Sequence, residues 1–74
     1  MKLESLNAGE LFIVQWQYRM LGGFSSALMQ AISKADMWNL AKLEKGFPNE
    51  VSAYKYFSTE DGWWEKVQEK AGVV

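Results

Sequence analysis

Leu11-Phe12-Ile13-Val14-Gln15-Trp16-Gln17-Tyr18-Arg19-Met20-Leu21 is the stretch whose reading decides the fold class. Val14, Trp16, Tyr18 and Met20 alternate with Gln15, Gln17 and Arg19. That period of two marks a half-buried strand, and the residue types suit one. Wound as a helix, the same residues are apolar nearly all round, with one narrow polar row through Gln15 and Arg19. A strand needs a partner strand, and no later segment reads as one. A central, largely buried helix is therefore favoured, and the fold class is all-α, a single small domain of four or five short helices. Immediately upstream, Asn7-Ala8-Gly9-Glu10 has the spacing of a capping box, an N-cap amide with an acid three positions on. Residues 1–7 before it are expected to be poorly ordered.

Downstream the helical signals are plainer. Phe24, Ala27, Leu28, Ala31, Ile32 and Ala35 recur at helical spacing, with Ser25, Ser26, Gln30, Ser33 and Lys34 filling the other face. The small residues in that stripe would let a neighbouring backbone come close. Gly22-Gly23 ahead of it reads equally as a sharp turn or as a kink in one long helix. Asp36 is placed to cap a short third helix carrying Leu40, Ala41 and Leu43. Gly46 falls where a left-handed C′ residue is wanted, and Phe47 could close the accompanying apolar contact. Pro48 suits the first position of a fourth helix, residues 48–57, with Val51, Tyr54 and Phe57 on one side. Ser58 and Thr59 are the expected cap of a fifth helix, in which Trp63, Trp64, Val67 and Ala71 form the apolar stripe. Gly72 ends it.

Composition narrows the chemistry. The 74 residues include four Trp, four Phe and three Tyr but no His and no Cys. The commonest general base, the commonest metal ligand and the reactive thiol are all missing. A disulfide or zinc staple is equally excluded, so a domain of this size must draw its core from large side chains. The nine acidic residues fall at expected caps or on polar helix faces, where a solvated charge is the ordinary role. There is no DxDxDG loop, no HExxH and no phosphate-binding glycine pattern, and Ser25 and Ser26 have no histidine to activate them. The expectation is a protein that is not an enzyme and holds no cofactor or metal. A net charge of −1 argues against duplex nucleic acid as a partner. The longest apolar run, Leu11 to Val14, is far short of the ~20 residues that cross a bilayer. With no signal-peptide pattern at Met1 to Leu6, the expected location is the cytoplasm.

What remains is an excess of aromatic surface, which must be buried or spent on a partner. Trp38 lies well away from Leu40 and Leu43 around its helix, and Tyr56 lies outside the Val51–Tyr54–Phe57 stripe. Trp16, Tyr18 and Arg19 sit on a helix with too many apolar sides for a monomer. Trp, Tyr and Arg are the usual anchors of protein interfaces, so these five are candidate partner-binding residues. Trp38, Lys42 and Lys45 fall at i, i+4 and i+7, an aromatic with two cations, as single-stranded nucleic acids favour. The plainer alternative is that the lysine stems pack over the indole. For every aromatic here, including Trp63 and Trp64, packing in the core is the competing role.

The string Gln15-Trp16-Gln17-Tyr18-Arg19-Met20-Leu21-Gly22-Gly23-Phe24 resembles small hypothetical proteins of phages and prophages of Gram-positive bacteria. So do Ala35-Asp36, Asn39-Leu40, Lys42-Leu43 and Gly46-Phe47-Pro48, and later Glu50-Val51, Ala53-Tyr54 and Gly62-Trp63-Trp64. The resemblance covers roughly residues 12–68. It implies a small accessory protein working inside a bacterial host and carries over no catalytic residue. Three functions follow as expectations. The favoured one is a module that binds a host or phage protein, an inhibitor of a host defence system being one version. The others are a single-strand nucleic-acid binder and a structural homo-oligomer paired through its first helix.

Overall fold

The computed structural model describes residues 2–73; Met1, the first residue of the 1–7 segment, and Val74 lie outside them. Among the described residues every regular element is helical. A 3-10 turn at Leu3–Ser5 is followed by α1 (Ala8–Gln17), α2 (Gly23–Lys34), α3 (Met37–Gly46), α4 (Pro48–Thr59) and α5 (Trp63–Ala71). At the start of the chain the Lys2 N–H donates to the Ala71 carbonyl, laying the 3-10 turn along the end of α5.

α1 opens on the expected capping box. The Asn7 Oδ1 accepts the Glu10 N–H at 2.8 Å, and the Glu10 Oε1 accepts the Asn7 N–H at 3.0 Å. The helix stops at Gln17, however, so the eleven quoted residues are not one element. Arg19 takes the left-handed conformation, φ 58°. Its N–H donates to the Trp16 carbonyl at 3.1 Å and the Met20 N–H to the Gln15 carbonyl at 2.7 Å. This is a Schellman ending with arginine where glycine is usual. The period-two alternation straddles the helix end: Val14 and Trp16 lie within α1, and Tyr18 and Met20 lie beyond it. The same early stop removes the surplus of apolar sides: Phe12, Ile13 and Val14 are buried, while Tyr18 and Met20 have left the helix and are exposed.

Gly22-Gly23 is neither the turn nor a kink. The chain reverses at Arg19, and Gly22 is the extended N-cap of a separate helix, with no positive φ at either glycine. α2 is also rolled relative to the expected stripe. Leu28, Met29 and Ile32 are buried, whereas Phe24, Ala27 and Ala31 face out. Met29 goes in where Ala27 and Ala31 stay out, and Phe24, in the first turn, remains at the rim against Phe47.

Asp36 caps α3 as expected, its Oδ1 accepting the Asn39 N–H at 2.8 Å. Gly46 remains helical rather than left-handed, and Phe47 alone joins α3 to Pro48 at the first position of α4. α4 runs two residues beyond the expected end. The Ser58 and Thr59 hydroxyls donate back to the Tyr54 and Lys55 carbonyls at 2.8 and 2.7 Å instead of capping α5. The left-handed residue before α5 is Gly62, φ 82°, and Gly72, φ 77°, closes the helix as expected.

The most extensively packed helix is α4, which lies against α1, α3 and α5. Its crossing with α1 is a backbone contact. A Cβ added to Gly9 would stand 2.6 Å from the Asn49 carbonyl oxygen and 2.9 Å from the Ala53 Cβ. The deepest side chains are aliphatic: Ile13, Val14, Ile32, Val51 and Val67. Most of the rings form a shell around them. Phe57 is its hub, edge-on to Trp16 at 5.4 Å, to Trp64 at 5.7 Å and to Trp63 at 6.5 Å between centroids. Such tilted geometries suit the ring quadrupoles. The Cα envelope is flat, 35 × 27 × 17 Å, and of the eleven aromatic side chains only Phe12 is buried in the core.

Candidate partner-binding surface

The seven candidate residues fall in three places rather than one. Trp38, Lys42 and Lys45 share the outward side of α3, whose inner side is held by the half-buried Leu40 and Leu43. Trp38 is 80% exposed and its neighbour Met37 84%, the two most exposed large apolar residues described. Both stand in the first turn of α3, directly after the Asp36 cap. The Asn39 side-chain amide adds a second bond to Asp36 at 3.3 Å. The cap ties down the backbone of this turn, so docking would have to order mainly the two side chains. Trp38 takes part in none of the ring contacts among the described residues, which leaves the indole bare rather than packed.

Tyr56 lies on the exposed side of α4 and stacks on Trp63, centroids 6.4 Å apart and planes 17° from parallel. Trp63 also meets Phe57 edge-on, so one indole serves both the shell and the surface. A groove beside the pair runs between the start of α1 and α4, past Asn7, Asn49 and Ser52. Trp16, Tyr18 and Arg19 form the third place, at the end of α1. Trp16 is half-buried against Tyr54 and Phe57, while Tyr18 and Arg19 are exposed. Sequence reasoning missed Met37, Phe24 and Met20, all exposed. The signal for Met37 was its place between a cap residue and Trp38, ahead of the first inward position of α3. Phe24 was assigned to the buried stripe of a helix that is in fact rolled; it touches only the rim, 5.9 Å from Phe47.

Charge is distributed unevenly over these places. The ion pairs among the described residues are Lys55 Nζ with Glu44 Oε1 at 2.8 Å and Lys70 Nζ with Glu10 Oε1 at 2.7 Å. Lys42, Lys45 and Arg19 belong to neither. Burial pushes the Glu10 carboxyl up. The Lys70 hydrogen bond, the Asn7 backbone N–H and the Lys70 charge together outweigh it and hold the group below its ordinary value of 4.5. The shift is thus accounted for by a helix cap tied to α5. No group of three or more metal-ligating side chains occurs among the described residues, and none of their helices is long and apolar enough to cross a membrane.

No protein-family model matches this chain, and no curated protein and no solved structure matches it either.

Proposed function

We propose that this chain is a non-catalytic helical module that binds another protein through the outward side of α3, with Met37 and Trp38 as anchors and Lys42 and Lys45 beside them. The observation that carries the reading is the exposure of two adjacent large apolar side chains on a capped helical turn. An exposed apolar pair held on ordered backbone has the character of an interface hot spot. The matching partner surface is an apolar pocket with an acidic rim. Inside a bacterial host, and with phage ancestry, an inhibitor of a defence protein would fit this description.

The test compares the proteins retained from host lysate by the wild type and by M37S/W38S, followed by direct titration of each purified candidate. Loss of the anchors is expected to weaken the true partner by ~30-fold or more, about 2 kcal/mol. Equal affinity of both forms for every candidate would reject the surface. Because Lys42 and Lys45 form no ion pair among the described residues, the same face also supports single-stranded nucleic acid as a second reading. That reading requires oligonucleotide affinity that falls steeply with salt and depends on Trp38. Absence of binding at low ionic strength would exclude it.

A further inference from the structure

A groove of about 350 Å³ runs between the end of α1 and α2, apart from the α3 face. Its apolar wall is Trp16, Leu21 and Met29. Ser26, Gln30 and Ser33, at i, i+4 and i+7 on α2, make one polar row along the other side. Both hydroxyl protons are already used. Ser26 Oγ donates to the Leu21 carbonyl at 3.4 Å and Ser33 Oγ to the Gln30 carbonyl at 3.0 Å. Their oxygens remain as acceptors, and the Gln30 amide makes no hydrogen bond among the described residues. Arg19 is the single charged residue of the lining. No carboxylate lines the groove, and Arg19 has no ion pair among the described residues.

Arg19 also holds the least comfortable backbone described, the one left-handed non-glycine position. A cation at the end of α1 favours the helix dipole, but any residue of the last turn would serve that purpose without positive φ. Glycine would hold the turn at lower cost, and two glycines follow at positions where an added Cβ would meet nothing. The left-handed position is thus held by a residue that brings a guanidinium group to the groove lining.

We infer that this groove takes the C-terminal residue of a peptide with an apolar last side chain. The Arg19 fork would donate two N–H bonds to its terminal carboxylate. The adjacent amide N–H would donate to a serine oxygen or to the Gln30 side-chain carbonyl oxygen, and the side chain would lie on Trp16, Leu21 and Met29. The volume suits one or two residues. A nucleotide fits less well, because Tyr54 and Phe57 already engage Trp16 and make it a wall rather than an open stacking platform.

The test is titration of the ¹⁵N-labelled chain with an N-acetylated tetrapeptide ending in leucine, as the free acid and as the C-terminal amide. The acid is expected to shift the Trp16 indole N–H, the Gln30 side-chain amide and the backbone around Arg19 and Ser26. Amidation should weaken binding about tenfold or more. R19G relieves the left-handed strain and so preserves the fold; it should weaken the acid equally and abolish discrimination from the amide. W38S should leave this binding intact, which separates its fate from that of the α3 surface. The inference is overturned if acid and amide bind alike, if R19G binds as the wild type does, or if no shifts appear at millimolar peptide. Shifts centred on Trp38 would overturn it as well. N-acetylleucine binding as tightly as the peptide would reject a peptide end, and tighter binding of a nucleoside monophosphate would reject the carboxylate chemistry.

Discussion

α1 crosses α4 at backbone distance, whereas α2 is held to the rest of the molecule mainly by three long side chains. At the first contact Gly9 lies against the Asn49 carbonyl and Ala53, with no room for a single methyl group. At the second, Leu28, Met29 and Ile32 reach inward while the α2 backbone has no extended close approach to another helix. Both regions bury apolar area, but they do it differently. A backbone-close crossing is intolerant of added volume, because carbonyls and helix axes must move together. A helix held at side-chain reach can roll or settle, and α2 does sit rolled from the stripe its sequence suggests.

The sharpest way to break this comparison is G9V. It drives a branched side chain into Asn49 and Ala53 and should cost about 3 kcal/mol, the upper range for overpacking. Urea unfolding should show a lowered midpoint at an unchanged slope. A loss below 1 kcal/mol would mean the crossing is not tight. On α2, I32A removes a side chain that is 1% exposed, yet it should cost only about 2 kcal/mol, the low end for such truncations, because α2 can close on the gap. A loss near 5 kcal/mol would show α2 to be as rigidly held as α1.

Glu10 adds a pH dependence at the tight end. Its folded pKa lies below its unfolded value, so ionised Glu10 stabilises the fold above about pH 4.5. That contribution is lost as the pH falls through the folded pKa. K70M should remove part of it, about 0.5–1 kcal/mol at pH 7, since the ammonium is half-exposed and screened. The difference between wild type and variant should shrink on acidification, as followed by thermal melting at several pH values. An effect of similar size and opposite sign lies at the joint between the two regions. R19G should raise stability by about 0.5–1 kcal/mol, because glycine adopts the left-handed turn without a Cβ penalty. A lower melting temperature would mean that Arg19 packing outweighs the strain.

Much of the local architecture was legible in the residues. Asn7 with Glu10, Asp36 with Asn39, Pro48 at the start of α4 and Gly72 after α5 each act within one turn of chain, so spacing alone announces them. The exposure of Trp38 and Tyr56 followed from helical angle, because α3 and α4 present the sides their periodicity indicates. Misleading signals came from glycines and hydroxyl residues, which suit more than one local role. Gly46 and Gly22-Gly23 look like turn residues, but the left-handed bends fell to Arg19 and Gly62. Ser58 and Thr59 look like caps, but they bond back to their own helix. The pairing of Tyr56 with Trp63, and the groove between Trp16 and α2, join residues distant in the chain and have no local signature.

By itself, the sequence determined the helical class, most of the caps and the lack of histidine and cysteine, because these depend on neighbours within a few residues or on composition. Only the tertiary structure decided where the first helix stops, which side of α2 faces inward and which aromatics remain outside. Those outcomes turn on competition for a small, flat core. There Ile13, Val14, Ile32, Val51 and Val67 fill the centre, and the larger rings must settle around it.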